Sequence, residues 1–440
     1  LDGDGGQALL VYTLSYHGKL SDNLSISAGG GVNNQFENWY SSVGSSSSRN
    51  GGPGKVSSTP NTKGNIDFQA EIINLIPMNT LLAGISFEAT TSETREYSLP
   101  DWQKPGDRDV ITYTSGGKSA NGGIFINDEF TILEDAGILT NLIFNAGVRF
   151  DYWRTMNGMN RDYTNVRVNN RYDDQSQSSL SPRAGLTLNL DLLSSQWKPT
   201  FWISGGRAFR PPTNYDLYRT WPSVASNGKT TISQSNPELK PEFMSSVEGA
   251  MSHRFFNNRL ELSLLGYYNE VSDMVYTTTI SDSDTLKIQR KTNLGLVKTK
   301  GIETGLNTRP FKFLTLFTNY TWTNAIVKRN KVNPASEGKR VTTVPEHVVN
   351  YGFQFEKGWV ALRMGSRYVS KRYTADDNSD TFDGLYGSRD PFHITDLRVS
   401  ISPVKRVRFI FNADNLFNQE YYDYYRCQGL TLGGEMQVTF

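Results

Sequence analysis

The sequence predicts an all-β fold, an antiparallel transmembrane β-barrel with about seventeen strands visible in this chain. Three observations predict it. Apolar and polar residues alternate with a period of two over long stretches. The connections between those stretches alternate between short and long. No run approaches the roughly 18 apolar residues that a membrane helix needs, so a membrane could be crossed only by strands. Composition agrees: apolar residues are 37% of the 440, aromatics 12%, and there are 39 glycines, a balance that disfavours a helical core. With 45 basic residues against 44 acidic, the chain has no net field to draw nucleic acid or an anionic surface, which excludes nucleic acid as a partner.

Taken in chain order, the strands read as follows. Ala8, Leu10, Tyr12, Leu14 and Tyr16 share one face of the first. Leu142, Phe144, Ala146, Val148, Phe150 and Tyr152 share another, against Asn141, Asn145, Arg149 and Asp151. Leu260, Leu262, Leu264 and Tyr268 oppose Arg259, Glu261, Ser263 and Asn269, and Val407, Phe409, Phe411 and Ala413 oppose Arg406, Arg408, Asn412 and Asp414. The last strand places Leu432, Gly434, Met436, Val438 and Phe440 against Thr431, Gly433, Glu435, Gln437 and Thr439. Helical spacing fits none of these.

Tight turns are expected near Gly18 to Asn23, Leu75 to Asn79, Glu134 to Gly137, Leu193 to Lys198, Asn257 to Asn258, Arg309 to Pro310, Glu356 to Gly358 and Pro403 to Val404. Long polar loops are expected between them: Ser41 to Lys63, Glu96 to Ser115, Met156 to Gln175, Pro211 to Leu239, Thr278 to Asp284, Lys328 to Lys339, Tyr373 to Ser388 and Asn418 to Gly429. Short turns at one end and elaborate loops at the other suit an outer-membrane barrel, with periplasmic turns and extracellular loops. Many strands outrun the five or six residues usual in soluble sheets, but suit a tilted span of about 9–11 residues with wet extensions. The apolar face then meets lipid and the Arg, Glu, Asn and Thr face a wet lumen. Tyr40, Tyr152, Trp153, Tyr320, Trp322 and Tyr368 fall where interfacial girdles are expected, although Tyr and Trp also favour strands in general.

Several motifs carry a resemblance. NADNLFNQEYYDYYRCQGLTLGGEMQVTF (Asn412 to Phe440), GGRAFRPPTNYDLY (Gly205 to Tyr218) followed by NPELKPE (Asn236 to Glu242), KTKGIETGL (Lys298 to Leu306), VPEHVVNYGF (Val344 to Phe353) and FINDEF (Phe125 to Phe130) occur in one order. In that order they resemble the C-terminal barrel of TonB-dependent outer-membrane receptors, over nearly the whole chain. The chain departs from that pattern at Cys427, Gln428 and Gly429, where the family commonly turns through a Pro-Gly-Arg-like sequence. The resemblance implies a barrel of twenty-two strands with an N-terminal plug, neither the plug nor the first strands being visible here. An odd number of antiparallel strands cannot close on itself without a parallel pair. The expectation is therefore that residues 1–440 are the C-terminal part of a larger barrel, completed by the rest of the same protein or by a second chain.

The resemblance also implies a function: TonB-dependent active uptake of a scarce ligand such as a ferric siderophore, cobalamin, haem or an oligosaccharide. The partners implied are the TonB energising complex acting through a plug, outer-membrane lipid and lipopolysaccharide, and the barrel-assembly machinery, which would read Phe440. A passive porin-like channel and a surface adhesin or docking barrel are the alternatives, since both share the alternation. No catalytic or cofactor-binding set is evident. The four histidines, His17, His253, His347 and His393, lack metal-ligand spacing, and no phosphate-cradling or nucleophile-elbow motif occurs. Cys427 is the only cysteine, which rules out a disulfide framework. The clusters Asp173 and Asp174, Asp282 and Asp284, and Asp376, Asp377 and Asp380 could bind calcium in loops, but they lack the regular oxygen-ligand spacing of a dedicated site and read first as solvated turns. Candidate ligand contacts are Tyr97 and Trp102; Arg210, Tyr215 and Trp221; and Arg372 and Tyr373, where aromatic and basic groups coincide in loops and at strand tops. Arg149, Arg363, Arg367, Glu261 and Glu303 are expected to face the lumen and to contact a plug or line water rather than bind the ligand.

Overall fold

The computed structural model describes residues 3–43, 47–164, 168–192, 197–224 and 228–439; Phe440 and part of the turn expected at Leu193 to Lys198 lie outside them. Among the described residues nineteen strands form one sheet. Two short ones, Gly54–Ser58 and Asn169–Tyr172, only lengthen it at the loop end. The other seventeen follow in chain order from Gly3–Ser21 to Thr431–Val438, each antiparallel to the next, as expected. The longest, Ile111–Ala136, has 26 residues, far more than the hydrocarbon requires, so its upper part stands clear as a wall for the loops.

Pairing register decides what each face carries. Phe68 pairs with Ile85, Ile85 with Ile124, Ile124 with Phe150, and Phe150 with Leu180. All five are between 42% and 57% exposed. A row of large apolar side chains on an open face is stable against hydrocarbon and not against water. One residue along, the opposite face carries Asp67, Ser86, Gly123 and Asp151 in register. There the Arg149 Nε donates to the Asp151 carboxylate at 2.8 Å, and a terminal nitrogen donates to the Ser86 Oγ at 2.7 Å. Arg149 therefore lines the lumen, as expected.

The short connections fall at one end and the long ones at the other. Asn257 and Asn258, at φ 55° and 65°, make a tight turn that their short polar side chains tolerate in the left-handed region. Two turns lie further along than the sequence suggests. The strand Leu296–Phe311 continues through Pro310, and Phe392–Val404 continues through Pro403. Both prolines sit where the ladder shifts register, so neither has to supply a ladder N–H. Trp153 also departs from expectation. It is buried on the inner face, whereas its neighbour Tyr152 is exposed on the outer one, because adjacent residues of a strand point oppositely. The outward girdle contains Tyr320 and Tyr351, whose hydroxyls hydrogen-bond His347 at 3.0 Å and His393 at 2.9 Å.

Gly3–Ser21 pairs only with Leu24–Ser42, and Thr431–Val438 only with Val407–Asp414, among the described residues. Each outer edge so presents a row of free backbone groups. Both clusters of buried apolar side chains lie at the loop end: Tyr276, Leu294, Val297, Ala325, Val327 and Val341 in one, Trp153, Leu217, Tyr218 and Leu239 in the other. The loops thus have a core of their own.

Candidate functional site

Two long connections, 211–241 and 273–295, fold into a single body over the lumen mouth. The first leaves its wall strand through Pro211 and Pro212 and makes a short helix, Asn214–Tyr218. Thr213 caps it: its Oγ1 accepts from the Asp216 N–H at 3.2 Å, and the Asp216 carboxylate accepts from the Thr213 N–H at 3.3 Å. A helix of 5 residues is not stable alone, so packing must hold it. Leu217 and Tyr218 bury against Trp153 and Leu239, and Tyr218 stacks on Tyr172 at 5.5 Å. Tyr218 also lies flat on two wall glycines. A Cβ on Gly158 would stand 2.4 Å from the ring and one on Gly117 2.7 Å from it, so nothing larger than glycine allows that approach. Asn214 and Thr220 complete the seat, donating to Gly117 O at 3.1 Å and to the Tyr113 hydroxyl at 2.9 Å.

The second connection, read from sequence as the loop Thr278 to Asp284, is a hairpin of Val275–Asp282 and Leu286–Asn293. It joins the first connection in a four-stranded sheet in which Thr230–Gln234 runs parallel to Leu286–Arg290. Side chains lock the two together. Lys291 pairs with Asp216 and its carbonyl accepts from Asn236 at 2.9 Å, while Asn293 and Lys240 exchange hydrogen bonds at 2.9 and 2.8 Å.

On this body the Arg219 guanidinium lies over two rings, 5.0 Å from the centre of Tyr215 and 5.6 Å from that of Trp221. The rings are 5.1 Å apart. Arg219 also reaches the wall, donating to Ser57 at 3.2 Å and lying 3.8 Å from Glu96. Burial pushes the Tyr215 hydroxyl above its ordinary pKa, although Arg219 pulls it down, so the phenol stays neutral. Tyr215 and Arg219 border two clefts. One, of about 370 Å³, opens onto the wall at Glu37, Trp39, Glu93 and Ser115. The other, of about 240 Å³, is lined by Trp221, Gln289, Arg290 and Lys291. A third cleft of about 870 Å³ lies between the hairpin and the segments 332–344 and 374–379.

The structure brings Tyr215 and Trp221 together and adds Arg219, which sequence spacing did not single out. Arg210 is engaged by Glu242 at the strand ends. Tyr97 is half-buried beneath Arg108, 5.2 Å away. Trp102 is buried and donates from Nε1 to Ser48 O at 2.8 Å, so it anchors one loop to another. Arg372 is buried against Asp423, and Tyr373 beside it accepts from the Thr343 N–H at 2.8 Å. Asp377 and Asp380 accept from nearby backbone N–H groups, as turn carboxylates do. Among the described residues no group of three or more His, Cys, Asp or Glu is placed to hold a metal ion.

Comparison with known proteins agrees with this architecture. Residues 2–416 match the family model described as TonB dependent receptor-like, beta-barrel. An uncharacterized TonB-dependent receptor of Haemophilus influenzae is 24% identical over 64% of this chain and 74% of its own length. Among solved structures, the ferric yersiniabactin uptake receptor of Yersinia pestis superposes with a TM-score of 0.70 at 13% identity, over 99% of this chain and 61% of its own. The closed form of the ferric-catecholate import receptor of Escherichia coli K12 gives 0.68 at 14%, over 99% and 64%. The copper transporter OprC gives 0.72 at 15%, over 100% and 66%. These structural likenesses are of fold, and the chain spans under two thirds of each solved relative.

Proposed function

Since this chain belongs to the TonB-dependent receptor-like β-barrel family, whose barrels sit in the outer membrane of Gram-negative bacteria, we propose that it walls a receptor for TonB-driven uptake of a scarce solute. The single observation that carries the reading is the Tyr215–Arg219–Trp221 cluster. It stands over the lumen on a body with its own core, between two clefts. Flat aromatic faces around a guanidinium suit a ligand with planar and anionic groups, and a ferric siderophore combines them. The solved receptors for ferric yersiniabactin and ferric catecholate point the same way. Tyr97, Arg210, Arg372 and Tyr373 frame the mouth, while Trp102 fixes the loops that present it. In this reading the free edges of Gly3–Ser21 and Thr431–Val438 pair with further strands of the same receptor, and a plug in the lumen meets TonB. An open edge in lipid would otherwise leave each bare polar group several kcal/mol worse off.

The test is uptake of radiolabelled ferric siderophores by cells carrying the intact receptor, with and without TonB. Saturable uptake that vanishes without TonB is the expected result. Uptake indifferent to TonB, with free diffusion of small sugars through the protein in liposomes, would establish a passive channel instead.

A further inference from the structure

Two guanidinium groups share one carboxylate above the lumen. Arg372 and Arg389 both pair with Asp423, at 3.2 and 2.5 Å. Arg372 is only 8% exposed. Its Nε and second terminal nitrogen, and the Nε of Arg389, are buried without a hydrogen-bond partner. The adjacent carboxylate, Asp390, is already engaged, by the Ser388 hydroxyl at 2.7 Å and by the N–H groups of Gly384 and Tyr422 at 3.1 and 2.9 Å. Within ion-pair distance the two guanidiniums thus have one carboxylate between them, and three of their nitrogen donors are left over in a poorly solvated place, while Asp390 nearby keeps its charge but spends its oxygens on neutral donors.

The direction in which this charge looks follows from the strands. Arg372 lies 5.7 Å from the Phe392 ring, and Phe392 pairs with Val369, both buried. Their neighbours His393 and Tyr368 take the outer face, so Phe392 and Val369 look inward. Further along the same inward face come Arg367, then Asp396 opposite Gly365, where it accepts from the Asn415 N–H at 2.9 Å, and then Arg363 directly opposite Arg398. None of these three arginines forms an ion pair among the described residues, and like charges directly opposite one another destabilise a sheet unless something anionic lies between them.

We propose that Arg372 and Arg389 bind an oxyanion of the incoming solute, a carboxylate or a phosphate, which takes the place of Asp423 and passes on to Arg367, Arg363 and Arg398. Asp423 is the group to be displaced because its side chain is 37% exposed and it sits on a two-residue ladder, Tyr422–Asp423 with Tyr425–Arg426. The site faces the lumen, which favours a solute over a membrane phosphate. The inference rests on the uptake reading and narrows its ligand to an anion.

The test uses the intact receptor in detergent, with citrate and inorganic phosphate as probes and maltotriose as an uncharged control, read by calorimetry. Both anions are expected to bind saturably and maltotriose not. Binding is expected to weaken about ten-fold in Arg389→Gln and in Arg372→Lys, which lose planar donors, and to tighten several-fold in Asp423→Asn, which removes only the competing carboxylate. No saturable binding of either anion by the native receptor and by Asp423→Asn, both retaining the heat-modifiable gel mobility of a folded barrel, overturns the proposal. Capture of lipid A through the same arginines, with no competition from the soluble anions, overturns it as well. Binding is measured without transport, so anion binding that persists where TonB-dependent uptake is absent counts against the receptor reading and for this site.

Discussion

Arg210 and Glu242 close the base of the largest loop with a two-pronged ion pair. The Arg210 Nε donates to one carboxylate oxygen at 2.6 Å and a terminal nitrogen to the other at 2.7 Å. The two residues are also directly opposite in the ladder between Thr200–Arg210 and Glu242–Phe255. Glu242 further accepts from the Val275 N–H at 2.5 Å, which ties in the neighbouring hairpin. Glu242→Gln keeps the size but removes the charge and leaves one accepting oxygen where there were two. Because Arg210 is mostly exposed, the loss is expected to be no more than about 1 kcal/mol, seen as roughly five-fold faster proteolysis within 211–241 with the barrel intact.

The flat seat of Tyr218 gives a sharper prediction. Gly158→Val places side-chain atoms where the ring now lies, and the ring cannot retreat through Trp153 and Leu239. The helix Asn214–Tyr218 is expected to lift, at an overpacking cost of about 1–3 kcal/mol. Ligand affinity falls while heat-modifiable mobility stays normal, since the glycine lies above the lipid band.

Arg219 acts through its plane as much as its charge. Arg219→Lys keeps the charge but loses the ring-stacking plane, and Trp221→Ala removes one of the two rings. Each is expected to weaken binding of a ferric siderophore by about ten-fold, in line with roughly 1–2 kcal/mol for a partly desolvated cation–π contact. Equilibrium quenching of intrinsic fluorescence checks this, and an Arg219→Lys variant that binds as well as the native protein would remove the stacking argument.

Alkaline pH should loosen one loop pair selectively. Tyr386, Tyr424 and Tyr425 form an edge-to-face trio, with ring centres 5.1 to 5.4 Å apart, that joins the segments 370–391 and 415–430. Tyr386 is 61% exposed, yet its pKa is pushed up to about 12, first by the partial desolvation that the neighbouring rings impose, then by its hydrogen bond with Tyr425 and the nearby charges of Tyr424 and Tyr425. Its folded value lies above the unfolded 10.0, so its contribution is fully present below pH 10 and is lost as pH rises through about 12. Phenolate absorbance of the native receptor minus that of Tyr386→Phe should titrate in that upper range. A midpoint at or below 10 contradicts the assignment.

Much of this architecture was legible in the sequence because a strand's two faces meet different solvents. Leu142 to Tyr152 alternate in the chain because lipid lies on one side and a wet lumen on the other, and the short and long connections follow from which end meets the outside. Where prolines sit in bulges, at Pro310 and Pro403, local turn chemistry misplaced the turn by a few residues. The loop body was not legible. Its parallel pairing of Thr230–Gln234 with Leu286–Arg290 joins segments far apart in the chain, and a helix of one turn leaves no periodic signal. Tyr215 and Trp221 could be singled out by residue type, but Arg219 takes its meaning from rings that only the fold brings beside it. Trp102 misled for the same reason, as an indole that looks free in a polar segment is buried against Ser48 and Gly54.

The most direct measurement takes neighbours on one strand. With Cys427 replaced by serine in the intact receptor, single cysteines are placed at Ile85, in the apolar row, and at Ser86, which accepts a hydrogen bond from Arg149 across the inner face. Each is spin-labelled in bilayers and its collisions with oxygen and with a water-soluble nickel chelate are compared. The account predicts oxygen-dominated relaxation at 85 and chelate-dominated relaxation at 86. Chelate access at 85, or exclusion of both reagents there, would mean that water or protein covers the apolar row, and the membrane-barrel account would be wrong.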